Sequence, residues 1–358
     1  MESYGMAEKT KQENSNIENS QIYQIKADTL IIEGVTEDKC RKICLDVYKN
    51  NIMGFQKEAQ DKAFSRASEL TDIFIEKLSK QDDEIKKKIE ESLTEPAMQE
   101  AIFKSQKCYA ISNDKDHLNI LTNMLVERGN IPQRTNKQML IDDAIDSLSK
   151  LNQKHLDMLG YILLRGGVNQ SGTLDILDSY INNLVKYMKK IIPLSKENND
   201  FVYLKHRNCL QTSVFASYQG IETYILRQTQ AFNEGFEKSE ILEELNNNVF
   251  ESFFIQSLRN PSKYVLKLNS FEFIEKYLSQ NVLQALEKIK KFYIPYKNEQ
   301  INKSEVYDII IKRHPDASIL FNNDIQAFSY YNLTPLGQLI AIEYVSQNVD
   351  KDFLWNFE

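Results

Sequence analysis

Asn152-Gln153-Lys154-His155-Leu156-Asp157-Met158-Leu159-Gly160-Tyr161-Ile162-Leu163-Leu164-Arg165-Gly166-Gly167 reads as one helix with both ends marked. Asn152 is suited to cap it, because its side-chain oxygen accepts an amide hydrogen that the first turn leaves unpaired. Leu156, Leu159, Ile162 and Leu163 return every few residues, the spacing of a helical face. Gly166-Gly167 supplies the left-handed conformation at which helices stop.

The same pattern extends in both directions. Upstream, Thr36 is placed to cap a helix with Glu37 and Asp38 in its first turn and Cys40, Ile43, Cys44 and Val47 on one face. A long helix is expected from Ile52 to Leu78, with Lys80 to Ser92 as its solvated extension. Thr94 and Pro96 mark a fresh start. Leu118, Leu121, Leu125 and Val126 mark the next helix, ended by Gly129 and Pro132, and Leu140, Ile141, Ile145 and Leu148 another. Downstream, Leu174, Ile181, Leu184, Val185 and Met188 make a helix up to Pro193. Further helices are expected near 200–218, 221–234, 238–258 and 270–291, then one capped by Ser304. In Asn332-Leu333-Thr334-Pro335-Leu336-Gly337, Thr334 caps, Pro335 pre-sets the first helical residue and Gly337 lets another element approach closely.

The start of the chain departs from this pattern. Residues 1–20 hold almost nothing apolar and are expected to form a disordered tail. Ile22-Tyr23-Gln24-Ile25 and Thr29-Leu30-Ile31-Ile32 are short runs rich in branched residues, giving a β tag at 21–35. Two short strands are not stable alone. Ile22, Ile25, Leu30 and Ile32 are therefore the interaction candidates, docking on the helical body or pairing with another chain to make an oligomer. The fold class is mainly α: a multi-helix body with a short N-terminal β segment after a disordered start. An N-terminal helical region spans 36–194. A C-terminal helical region spans 195–358, with a winged-helix-like end at 304–347. No fixed-period repeat supports a solenoid.

Composition narrows the function classes. Eleven Gly and seven Pro among 358 residues are about 5% where roughly 12% is usual, which excludes collagen-like and turn-dense all-β architectures. The formal charge of −7 repels a phosphate backbone on average, so nucleic acid is not a favoured partner. Cys40, Cys44, Cys108 and Cys209 make no disulfide framework, and a reducing, cytoplasmic setting is expected. No apolar run is long enough to span a membrane, and Met1 to Ser20 lacks the apolar stretch of a secretory signal.

Sites of chemistry are sparse. Of the four histidines, His117, His155, His206 and His314, only His206 has a close Cys, Cys209, three residues on along an expected helix. A structural zinc needs four ligands, and no second pair has the spacing, so this pair reads as a solvated His206 and a buried Cys209, and Cys40 with Cys44 as core packing. No metal site and no cofactor is expected. The nucleophile elbow and the Gly-rich phosphate loops are missing. Asp82-Asp83 and Asp142-Asp143 read as solvated helical faces. Asp116-His117 reads as a helix start, with Asp116 in the first turn.

Several segments together carry a resemblance. They are Asn16-Ile17-Glu18-Asn19-Ser20 through Gly34-Val35, Ile43 to Asn51, and Asp114-Lys115-Asp116 with Leu121 and Leu125. Leu151 with Leu156-Asp157-Met158-Leu159, and Leu333-Thr334-Pro335-Leu336-Gly337 with Ile340-Ala341, complete it. The chain resembles an uncharacterised bacterial helical family with an N-terminal Asn/Ser/Ile-rich β-like tag, and is similar to the abortive-infection alpha proteins of bacteria. The resemblance runs from about Asn16 to Val345, and Ile17-Glu18 stands where a Gly-Asp pair often opens the tag. It implies a role in anti-phage defence and transfers no catalytic residue.

The function expected is a non-enzymatic interaction, sensor or scaffold component of a bacterial anti-phage defence system, with a protein partner or self-association through the tag. The alternatives are an effector enzyme, a nuclease or hydrolase with an unrecognised site, and a nucleic-acid-binding regulator built on the 304–347 segment.

Overall fold

The computed structural model describes residues 37–51, 57–131, 134–166, 174–192, 199–212, 220–267, 280–294 and 302–349. The expected tail and β tag, with Ile22, Ile25, Leu30 and Ile32, lie outside the described residues. From Thr36 onward the chain is one compact unit, and it is mainly helical as its periodicity indicates.

The first helices form a packed group: α1 (Glu37–Asn51), α2 (Lys57–Ser79), α3 (Asp83–Ser92), α4 (Pro96–Ser112), α5 (Lys115–Asn130) and α6 (Asn136–Leu148). α2 lies against α1, α4 and α5, burying Ala67, Leu70 and Phe74. Side-chain caps start several of them by accepting orphan amide hydrogens. Asp82 accepts from Ile85 N, Asp114 from Asp116 N, and Thr135 from Gln138 N.

Several boundaries differ from the sequence reading. Lys80 to Ser92 is not an extension of α2. Asp82 caps α3 as a separate helix, and Ile89 on it is fully buried, so the run is not wholly solvated. α5 ends at Asn130, between Gly129 and Pro132 as expected, with Gly129 still in its last turn, where a Cβ would stand 2.9 Å from Ile89 Cγ1. Thr94 does not cap α4: Glu95 holds that position, and the Thr94 hydroxyl donates to the Glu91 carbonyl.

The second group comprises α7 (Gln153–Gly166), α8 (Leu174–Ile191), α9 (Asn199–His206), α10 (Ile221–Gln228), α11 (Lys238–Glu244), α12 (Asn247–Phe253), α13 (Gln280–Lys290), α14 (Lys303–Arg313) and α15 (Pro335–Val345). Two 3₁₀ segments, Pro315–Phe321 and Asn323–Tyr330, lie between the last two. The long helices expected at 200–218 and 238–258 are broken by strands. β1 (Leu210–Thr212) pairs antiparallel with β4 (Tyr331–Leu333), and β2 (Phe254–Gln256) with β3 (Tyr264–Leu266). β-branched and aromatic residues favour such pairing over continued helix, and Phe254 and Leu266 join a local apolar cluster with Ile241, Phe250 and Phe292. β4 is the one described strand within 304–347, and its partner β1 lies far outside that segment. Ser304 is not the cap of α14; Asn302 accepts from Ser304 N.

α15 joins the two halves, packing on α5, α6 and α7. Thr334 caps it by accepting from Gly337 N at 3.0 Å, and its own hydroxyl donates to the Asn208 carbonyl. A Cβ on Gly337 would stand 1.9 Å from the Cys209 carbonyl oxygen. Only a glycine lets the helix come this close to the turn after α9.

Candidate functional site

α7 is the helix about which this arrangement turns. Asn152 opens it with a reciprocal pair: His155 N donates to Asn152 Oδ1 at 3.0 Å, and Asn152 N donates to His155 Nδ1 at 3.2 Å. This is a capping box with histidine in the place of the usual acid or amide. Every residue from His155 to Arg165 is buried, because α8 covers one side and α15 another. A helix covered all round normally presents apolar side chains throughout. α7 instead carries Gln153, Asp157, Tyr161 and Arg165 at four-residue spacing, so these four lie along one stripe.

At the N-terminal end of the stripe, Gln153 and Asp157 both have partners, although the hydroxyl of the neighbouring Tyr187 is buried without one among the described residues. Asp157 Oδ1 accepts from the Tyr344 hydroxyl at 2.5 Å and from Lys190 Nζ at 3.2 Å. The Tyr344 oxygen accepts from Gln153 Nε2 at 2.6 Å and from Lys190 Nζ at 3.3 Å. Burial and then the Asp157 bond push Tyr344 far above the ordinary phenol range, so its hydroxyl stays a donor. The ends of three helices, α7, α8 and α15, are thus joined at one carboxylate. Gly160 marks the seam: a Cβ there would stand 2.9 Å from Tyr187 Cε1. Tyr187 crosses at this point, edge-on to Tyr344 at 5.8 Å.

The C-terminal end of the stripe differs. Arg165 is 5% exposed. Its Nη2 donates to the Tyr331 carbonyl at 3.1 Å, and its guanidinium lies 5.0 Å from the Tyr224 ring centre. Among the described residues its Nε has no hydrogen-bond partner, nor has the Tyr161 hydroxyl, although both are buried. The Tyr180 hydroxyl donates to the Arg165 carbonyl at 3.3 Å.

The residues singled out from sequence are mostly tied into the fold. His155 stacks on Tyr203 and faces Asp200 at 3.6 Å. His314 Nε2 lies 2.7 Å from Asp178, which Arg313 also holds, and Arg313 keeps that carboxyl below its usual range. His117 is buried with both ring nitrogens unpartnered, and burial lowers its pKa. His206 ends α9 and Cys209 lies beyond it, so they do not share a helical face. Asp142 is not merely a solvated acid: it accepts from the buried Arg128 at Nε, 2.5 Å, and Nη2, 3.1 Å. Asp82 is a cap. All four thiols are buried, and desolvation pushes Cys40 and Cys209 to about 11 and Cys44 and Cys108 to about 12. Among the described residues no three His, Cys, Asp or Glu gather as a metal ion would need. No described helix is long and apolar enough to cross a membrane.

Sequence reading missed the stripe. Four polar or amphipathic residues at a fixed spacing of four, inside a helix that also carries Leu156, Met158, Leu159, Ile162, Leu163 and Leu164, are its signal.

No curated protein and no solved structure matches the chain. The model of an uncharacterised protein family matches residues 34–354. This span covers all of α1 to α15 and both halves that α15 joins, and the chain belongs to that family.

Proposed function

We propose that this chain is a non-enzymatic sensor or scaffold component of a bacterial anti-phage defence system, working in the cytoplasm. The observation that carries the non-enzymatic part is how the reactive groups are used. Asp157, Tyr344 and Lys190 are bonded to one another between three helices. The four thiols are buried, with burial holding them protonated. Such groups fix a shape for a partner to recognise. The defence setting is supported by the resemblance of Leu333 to Ala341 and its companion segments to the abortive-infection alpha proteins. Self-association through Ile22, Ile25, Leu30 and Ile32 completes the reading.

Light scattering on the full chain and on a version lacking residues 1–35 tests assembly. The expected result is an oligomer that becomes a monomer on truncation. Phage challenge of cells with and without the gene tests the setting, and loss of resistance on deletion is expected. A monomeric full chain together with unchanged phage resistance would sink the proposal.

A further inference from the structure

We infer that the C-terminal end of α7 is a binding site for a small oxyanion, a phosphate or carboxylate group, held by Arg165 and Tyr161. Arginine keeps its charge in proteins, so a buried guanidinium needs a counter-charge from somewhere. The other deeply buried arginine, Arg128 at 2% exposed, has one: Asp142 takes two of its N–H groups. Arg165, at 5% exposed, has none among the described residues, and its bond goes to a neutral carbonyl. The helix C-terminus in which it stands offers only about half an elementary charge, spread over the last carbonyls, and leaves Nε unpaired.

The second observation is Tyr161. A tyrosine hydroxyl that is fully buried and makes no bond is a phenylalanine with a desolvation penalty. It stands one turn before Arg165 on the same stripe. Two unpaired donors, one of them charged, are what an oxyanion with two free oxygens would satisfy. The Tyr224 ring covers the guanidinium, and Tyr180 anchors the backbone beneath it by donating to the Arg165 carbonyl. Gly166, the next residue, is exposed and a Cβ built on it meets nothing within 4 Å, so the stripe ends one residue from the surface. This inference does not rest on the defence reading.

The test is isothermal titration of the full-length protein with inorganic phosphate, and separately with acetate, at constant ionic strength set with chloride. The expected result is saturable binding of one of the two. Phosphate would mark the natural ligand as phosphorylated, and acetate would mark it as a carboxylic acid. Tyr161→Phe is expected to fold normally and to bind about ten-fold or more weakly, since it removes one hydrogen bond to a charged group. Arg165→Gln is expected to abolish binding. Should Arg165→Gln not fold, Tyr161→Phe alone decides. Absence of saturable binding by either anion, or Tyr161→Phe binding as tightly as the natural chain, would overturn the inference.

Discussion

The two ends of α7 use the same kind of residue in opposite ways. Asp157 and Tyr344, at one end, satisfy each other and draw in Lys190 and Gln153. Tyr161 and Arg165, four and eight residues along toward the other, leave a hydroxyl and an Nε without partners among the described residues. Both ends are buried, so burial alone does not separate them. Satisfaction does: the first end stabilises the native arrangement, while the second costs stability in the protein by itself.

Four substitutions or conditions bear on this contrast, from the largest effect to the smallest. Asp157→Ala removes the acceptor that joins α7, α8 and α15. It should cost about 3 kcal/mol in urea unfolding, less than a fully buried pair because Lys190, with 40% of its side chain exposed, can rehydrate. Tyr344→Phe keeps the ring packing but removes the hydroxyl between Asp157 and Gln153. A loss of about 2 kcal/mol is expected by the same measurement. Gly160→Ala forces the Tyr187 ring aside at the seam. Crowding of about 1–3 kcal/mol is partly offset by about 1 kcal/mol of helix propensity, so thermal unfolding should show a small net loss.

The smallest effect is the pH response of His117. Burial lowers its pKa in the folded chain, against the pull of Asp114 and Asp116. The unfolded chain therefore takes up a proton at higher pH than the folded one. The contribution is fully present above about 6.5 and is lost as pH falls through the folded value. Urea unfolding at pH 7.5 and 5.5 should show lower stability at the acid pH. His117→Leu should shrink that difference without removing it, because His155 is lowered by burial too.

What was legible in the sequence was local. Asn152 capping α7, Asp116 in the first turn of α5, and Thr334 and Gly337 in α15 all act within a turn or set a close approach. Such signals need no knowledge of the rest of the chain. The breaks at β1 and β2 were not legible, because strand pairing depends on partners over a hundred residues away for β1. The stripe was hidden for a related reason. Leu156, Leu159, Ile162 and Leu163 already account for a helical face, and tyrosine counts equally as apolar or polar. Whether Asp157 or Arg165 finds a partner depends on Tyr344, Lys190 and Tyr331, which no spacing in α7 reveals.

Urea unfolding of Tyr161→Phe beside Tyr344→Phe, without added anion, tests the contrast most directly. Both changes delete one buried phenolic oxygen and leave the ring. The account predicts that Tyr344→Phe loses stability while Tyr161→Phe keeps or gains it. A loss in Tyr161→Phe as large as that in Tyr344→Phe would contradict it.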